Sequence, residues 1–464
     1  MTTTTHQAVQ PEFRWLVILV SIGFFMQALD TTIVNTAIPA MAIQLNENPL
    51  QMHSVIVAYV LSVAACIPLS GWLADRFGIR NIYLSSMVIF SLASLGCGLS
   101  QNLEQLLFFR VIQGIGGALL MPVGRLALLK LIPRSQFLSA MSLMSLAGLI
   151  GPLMGPTLGG WLVEVATWHW IFLINLPMGI LGMIMTFKIM PNQKEPTVKT
   201  FDFSGFILLM VAMVGLSLGI ENMASSQYSN LVSISLLLIG IIATVSYAYH
   251  AHTHQNALFH GRLFRYKIFS IGVLGNFFAR LGSNAIPFIL PLMLQVAFGF
   301  EPFITGLMMI PLVLGSLFSK PIIRPLIQRV GYRRFLLTNT ILVGLCIASF
   351  SFMTAVTPLW LKVLHLFIFG TLNSLQFVGM NTLTLKDLPQ HDASSGNSFL
   401  SMIMMLSMSI GVAMAGTLIN LFSQHFSTTS MSSAFHATLI TLGCINIITA
   451  IIFWQIPKET TDES

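Results

Sequence analysis

Charge is what this chain has least of. Asp, Glu, Lys and Arg together make up 8% of its 464 residues, whereas 55% are hydrophobic. A soluble domain carries about 25% charged residues, so a water-facing surface cannot be assembled here and the bulk of the side chains must face lipid or one another. Cysteine is scarce as well. The four present, Cys66, Cys97, Cys346 and Cys444, all fall inside apolar runs, and none makes a CxxC or a metal-ligand spacing. This argues against a disulfide framework and a zinc site, and the four read as packing residues. Paired carboxylates, HExxH, a Walker A loop and a GxSxG elbow are also missing, so neither catalysis nor ATP binding is expected, and no cofactor or metal. The Gly-rich run Gly114–Gly117 lies within an apolar run and is no phosphate cradle.

What the chain does have is long hydrophobic runs. A bilayer core of about 30 Å needs about 20 helical residues. Six runs meet that length first: 15–38, 53–74, 80–100, 104–127, 138–162 and 169–190. After a polar stretch come 205–224 and 231–250, and after a second come 268–297, 303–325, 334–354, 360–384, 394–422 and 434–455. The expectation is an all-α membrane protein of fourteen transmembrane helices. The first run contains Asp30 and is too long for a signal-peptide core, so it is expected to be retained.

An even count places both termini on one side. With that side assigned to the cytoplasm, all of the 22 Lys and Arg except Lys362, Arg110 and Arg280 lie in or beside cytoplasmic segments, as the positive-inside bias requires. The net charge of +7 is thus an orientation signal and not a nucleic-acid surface.

The chain also repeats itself. Asp75-Arg76-Phe77-Gly78-Ile79-Arg80 returns as Gln328-Arg329-Val330-Gly331-Tyr332-Arg333, an offset of 253 residues, and the first and ninth runs start the same distance apart. Two parallel six-span halves, with a substrate site between them near the midplane, is a transporter arrangement. The expected division is a six-helix bundle over 1–190, a linker with two extra transmembrane helices over 191–267, and a second six-helix bundle over 268–464.

Four segments carry a resemblance. Gly71-Trp72-Leu73-Ala74-Asp75-Arg76-Phe77-Gly78-Ile79-Arg80 resembles the major facilitator signature between spans two and three. Arg110-Val111-Ile112-Gln113-Gly114-Ile115-Gly116-Gly117 is similar to the fourth-span signature, and residues 148–160, GLIGPLMGPTLGG, to the fifth-span signature of antiporters. The run from Leu29 to Pro39, LDTTIVNTAIP, resembles the first-span motif of the fourteen-span drug:proton antiporters. The resemblance implies a major facilitator fold, two six-helix bundles plus two central helices, and proton-driven efflux across a bacterial inner membrane. It departs at Trp168-His169-Trp170, where that family usually reads Trp-Arg-Trp.

Within this frame Asp30 is the strongest site candidate, because an ionised carboxylate at membrane depth must be paired or protonated. At 1.5 Å per residue, Asp30 lies about 22 Å from the inner end of its run and Arg110 about 21 Å from it, so the two are expected to meet and to exchange partners during proton coupling. A permanent, orienting ion pair is the alternative. Arg280 is the third ionisable group well inside a span, with Asn276, Ser283 and Asn284 on nearby turns. One Asp against two Arg leaves one arginine for an anion or for stabilising the ninth span. Gln27, Tyr59, Gln113, Asn373, Gln376 and Asn381 are further polar residues at depth, expected either to line a cavity or to join helices by hydrogen bonds.

Gly71, Asp75, Arg76, Gly78 and Arg80 are expected at a cytoplasmic gate, with Asp75 near the amino end of the following helix and paired with the basic cluster. In the fifth span, Gly148, Gly151, Gly155, Gly159 and Gly160 permit close helix contact, and Pro152 and Pro156 favour kinks.

The leading expectation is a proton:small-molecule antiporter acting as a monomer in the lipid bilayer. Export of an anionic metabolite, such as a tricarboxylate or its metal chelate, is one alternative. A non-transporting sensor on a transporter fold is another.

Overall fold

The computed structural model describes residues 10–195, 200–223, 230–254, 256–425 and 431–457, and among them every regular element is helical. Helix satisfies each backbone N–H and C=O within its own segment, which lipid demands. Thirteen helices among the described residues are long and apolar enough to cross a membrane. The first six are α1 (Pro11–Leu45), α2 (Pro49–Phe77), α3 (Ile79–Gly98), α4 (Leu103–Leu131), α5 (Ser135–Val165) and α6 (Trp170–Ile189). The next three are α7 (Phe203–Asn222), α8 (Leu231–Thr253) and α9 (Lys267–Ala297). A fourteenth span, α10, is two helices, Pro302–Phe318 and Lys320–Val330, meeting at 48°. Then follow α11 (Tyr332–Phe352), α12 (Leu359–Lys386), α13 (Asp392–His425) and α14 (Met431–Trp454). The chain is a multi-pass membrane protein.

The fourteen apolar runs correspond to these elements in order. Run 303–325 differs in shape. Pro321 stands in the first turn of the second piece of α10 and Pro325 lies inside it; neither has an N–H to continue the ladder, and the span bends at their start.

The chain forms two compact units, Met1–Glu47 with Ala58–Phe201, and Asn48–Val57 with Asp202–Ser464. In the first, α1 and α5 approach closely. A Cβ added at Gly151 would stand 2.8 Å from the Leu29 amide nitrogen, and one at Gly159 would stand 2.4 Å from the Ile33 carbonyl oxygen. Thr36 on α1 donates to the Pro156 carbonyl at 3.1 Å. The motif glycines of α5 therefore hold it against the helix that carries Asp30.

In the second unit, α7 and α8 pair as a hairpin through Gly215, Gly219 and Gly240. The hairpin rests on α13. Ser217 and Ser409 hydroxyls are 2.8 Å apart, and Thr417 donates to the Ile220 carbonyl at 3.2 Å.

The internal repeat has a backbone counterpart. Gly78 (φ 94°, ψ 144°) joins α2 to α3, and Gly331 (φ 79°, ψ 153°) joins α10 to α11. Both occupy a region of backbone space that is essentially closed to residues with a Cβ. The repeated Arg-x-Gly-x-Arg segment is thus the same turn built twice.

Candidate functional site

Asp30, Arg110 and Gln113 are at most 1% exposed and form one cluster in the first unit. Arg110 Nη1 donates to Asp30 Oδ2 at 2.7 Å and to Gln113 Oε1 at 2.8 Å. Gln113 Nε2 donates to Asp30 Oδ1 at 2.8 Å and to Ser94 Oγ at 2.6 Å. Asn175 Nδ2 adds a bond to Asp30 Oδ1 at 3.2 Å. The carboxylate thus accepts from three side chains on α4 and α6. Its cation is held from the other side by the ring of Tyr59, 4.2 Å from the guanidinium carbon. Gly114 and Gly117 make room for Tyr59, since a Cβ there would come within 3.0 Å of it.

Among the described residues the cluster is mostly satisfied, with two exceptions: the Tyr59 hydroxyl and the Asn175 Oδ1 are buried without a hydrogen bond. Gln27, one turn before Asp30, is 9% exposed and its Oε1 also lacks a partner. A change in the charge of Asp30 would remove the counter-charge of Arg110 and weaken the bonds from Gln113 and Asn175.

The second unit gathers polar residues around Arg280, which is 6% exposed. Arg280 Nε donates to Asn276 Oδ1 at 3.0 Å and Nη2 to Asn381 Oδ1 at 3.3 Å, and the Phe377 ring lies 4.2 Å from the guanidinium carbon. Asn276 in turn donates to Thr384 Oγ1 at 3.1 Å. Among the described residues no carboxylate pairs with this arginine. Asn284 ends the first stretch of α9 without a side-chain bond to Arg280, and Asn373 is half-buried on α12. Gln376 faces elsewhere: its amide donates to Thr340 at 2.7 Å and accepts from Asn339 at 2.9 Å, joining α11 to α12.

At the signature loop the pairing differs from the expectation. Asp75 sits in the last turn of α2, not at the start of α3, because Gly78 separates the two helices. Its carboxylate receives Lys130 Nζ of α4 at 3.0 Å, and Lys130 also pairs with Glu195. Arg76 lies over Trp72 (5.1 Å) and Phe77 (5.7 Å), and Arg80 over Phe187 (5.8 Å). The basic residues adjacent in sequence thus bind aromatic faces, and the carboxylate takes a cation from another helix. Residues 191–195 strap this loop. Gln193 O accepts from Ile79 N at 3.2 Å, and Glu195 N donates to Asp75 O at 3.1 Å. A Cβ on Gly78 would stand 2.0 Å from Asn192 Oδ1, whereas one on Gly71 meets nothing within 4 Å.

Sequence reasoning missed several residues. Ser94 and Asn175 complete the Asp30 cluster; Ser94 is one of several serines in its run, and Asn175 lies in the stretch LINLP. Three ionisable groups at the ends of runs are also largely withdrawn from the surface. Lys362 is 2% exposed, with its ammonium donating to the Ala355 carbonyl at 3.0 Å and lying 4.7 Å from the Phe300 ring. His53 and Glu221 face each other across 3.7 Å.

A bundle of membrane helices with charges buried among its spans and a glycine turn built twice has the build of a solute carrier. The chain matches the Major Facilitator Superfamily over residues 20–411 and again over 272–464, and it belongs to that family. Two relatives, both named "Putative multidrug resistance protein MdtD", are similar throughout. That of Escherichia coli O6:H1 is 51% identical over 452 residues, 96% of this chain and 95% of the relative. That of Pectobacterium atrosepticum is 49% identical over 454 residues, 97% of each. The crystal structure of a peptide transporter, POT, in complex with sulfate shares the fold, with a TM-score of 0.71 at 14% identity over 98% of this chain and 96% of that one.

Proposed function

We propose that this chain is a proton-coupled exporter of the multidrug type, working as a monomer in the bacterial inner membrane with both termini in the cytoplasm. Relatives about half identical over nearly the whole length bear a multidrug resistance name, which supports the cargo class. The observation that carries the coupling is the Asp30–Arg110–Gln113 cluster, a buried carboxylate whose charge is matched by one cation. A proton on Asp30 removes the charge that holds Arg110, Gln113 and Asn175. Those donors then reorganise, and the bundle shifts its preference between conformations. Carrier action, not catalysis, is the reading.

The test uses inverted membrane vesicles with an acidified lumen. Adding a transported compound should collapse part of the pH gradient, and Asp30→Asn should abolish that response. Transport by Asp30→Asn with an unchanged pH dependence would refute the proton role.

A second reading concerns cargo charge. Arg280, held by Asn276 and Asn381 with no acidic partner among the described residues, suits an anion such as a tricarboxylate or its metal chelate. Lipophilic cationic dyes and organic acids, compared in the same vesicles, separate the two cargos.

A further inference from the structure

Outside the clusters above, the second unit buries a histidine facing a carboxylate. His53 stands where α2 begins, after the tight turn Pro49–Gln51, and Glu221 stands in the last turn of α7. Their side chains are 8% and 14% exposed. His53 Nδ1 lies 3.0 Å from the Leu50 carbonyl oxygen. A carbonyl only accepts, so Nδ1 carries the hydrogen, and in the neutral ring Nε2 carries none.

That Nε2 has no hydrogen bond and faces Glu221 Oε1 at 3.7 Å. The gap exceeds the hydrogen-bond range of about 2.7–3.2 Å, so the two groups face each other closely without a direct bond.

The pocket around the ring is built for it. Gly416 of α13 lies against the imidazole, and a Cβ there would stand 2.3 Å from Nδ1. Phe288 of α9 approaches edge-on, with ring centroids 6.3 Å apart. Among the described residues, the printed neighbours of the pair on the other helices carry no titratable side chain: α13 brings Gly416 and Thr417, and α9 brings Phe288. Among the described residues, Glu221 is the one ionisable group paired with His53.

We propose that His53 and Glu221 form a second proton-binding site, and that loading it clasps the α7–α8 hairpin to the turn that begins α2. The proton comes from water, bonds to Nε2 and is shared with Oε1, taking the pair from one net negative charge to none. On release it returns to water. The site rests on the transport reading above and deepens it. It gives the two extra helices a task, to tie proton occupancy on the outer side to the start of the second span.

Infrared difference spectra of the purified full chain in nanodiscs, recorded as the pH is stepped through about 5 to 8, the range of histidine titration, test this directly. The wild type should show an imidazole-to-imidazolium change that is lost in both His53→Gln and His53→Asn, and that shifts in Glu221→Gln. Two histidine variants keep the test intact if one fails to fold. Vesicle transport is measured in parallel, and Glu221→Gln should lose its dependence on outer pH. A Glu221-dependent histidine titration in a protein that moves no solute keeps this site and sinks the transport reading. Transport by the wild type together with identical spectra for the wild type and both His53 variants overturns the site.

Discussion

Asp30 and Arg110 are tolerable in lipid together and costly apart. Removing one partner of a buried ion pair destabilises by about 3–5 kcal/mol, because the other charge stays buried. Arg110→Ala is therefore expected to lower the melting temperature in detergent sharply. Asp30→Asn should lose less, since an amide oxygen still accepts from Gln113 and Asn175. The double variant Asp30→Asn, Arg110→Gln should recover part of the loss, and strictly additive melting shifts would show that the pair is not coupled. His169 offers a pH handle outside the spans. Its ring stacks on Trp168 at 3.9 Å, and burial holds its pKa below the ordinary imidazole value. The folded state thus prefers the neutral ring, so this contribution is present above the unfolded value of about 6.5 and fades as the pH falls through and below it. His169→Arg should remove that acid-sensitive part, read as a smaller melting shift between pH values of about 7.5 and 5.5. The sequence made Asp30 and Arg110 legible, because depth along a helix is simple arithmetic. It did not reveal Asn175 or Ser94, since a polar residue in an apolar run gives no hint of which neighbour it faces. Gln376 illustrates the same blind spot, its amide used between two helices.

Glycines with different duties separate cleanly among the helices. Gly78 and Gly331 each end one helix and start the next at positive φ, where a Cβ brings strain of about 1–3 kcal/mol. Gly71, in the same signature as Gly78, has open space where its Cβ would be. Gly71→Ala should therefore express and melt like the wild type, whereas Gly78→Ala and Gly331→Ala should both lose stability. Equal effects at all three would remove the conformational explanation. On α5, Gly159→Ala should also fail, because its Cβ would press on the Ile33 carbonyl of the helix that carries Asp30. The number and order of helices were readable because hydropathy and span length are fixed by the bilayer. The 48° bend in α10 was not, because prolines mark where a helix is weakened and packing decides its angle. The partner of Asp75 was likewise hidden, since Lys130 lies 55 residues away on another helix.

At the scale of the whole chain, the distribution of charge makes the strongest claim about orientation. Arg and Lys crowd the segments around residues 76–80, 262–267 and 329–334, all on one side of the span count, whereas the connection near Ser100 carries none and the one near Thr354 has only Lys362 at its flank. Moving a basic cluster across the membrane against its potential is unfavourable, so the side holding these residues should stay in the cytoplasm. The four native cysteines all lie in spans and give a quiet background for labelling with a membrane-impermeant maleimide. Gln101, Thr354 and Lys194 are exposed. A cysteine placed at Gln101 or Thr354 should react in intact cells, and one at Lys194 only after the membrane is opened. Each added or lost span between two of these positions would reverse one of them relative to the other, so the three sites test the span count and the orientation in one experiment. If Lys194→Cys reacts from outside while Gln101→Cys does not, the chain is inverted, and the turn at Gly78 with its Lys130–Asp75 pair would face the outside of the cell.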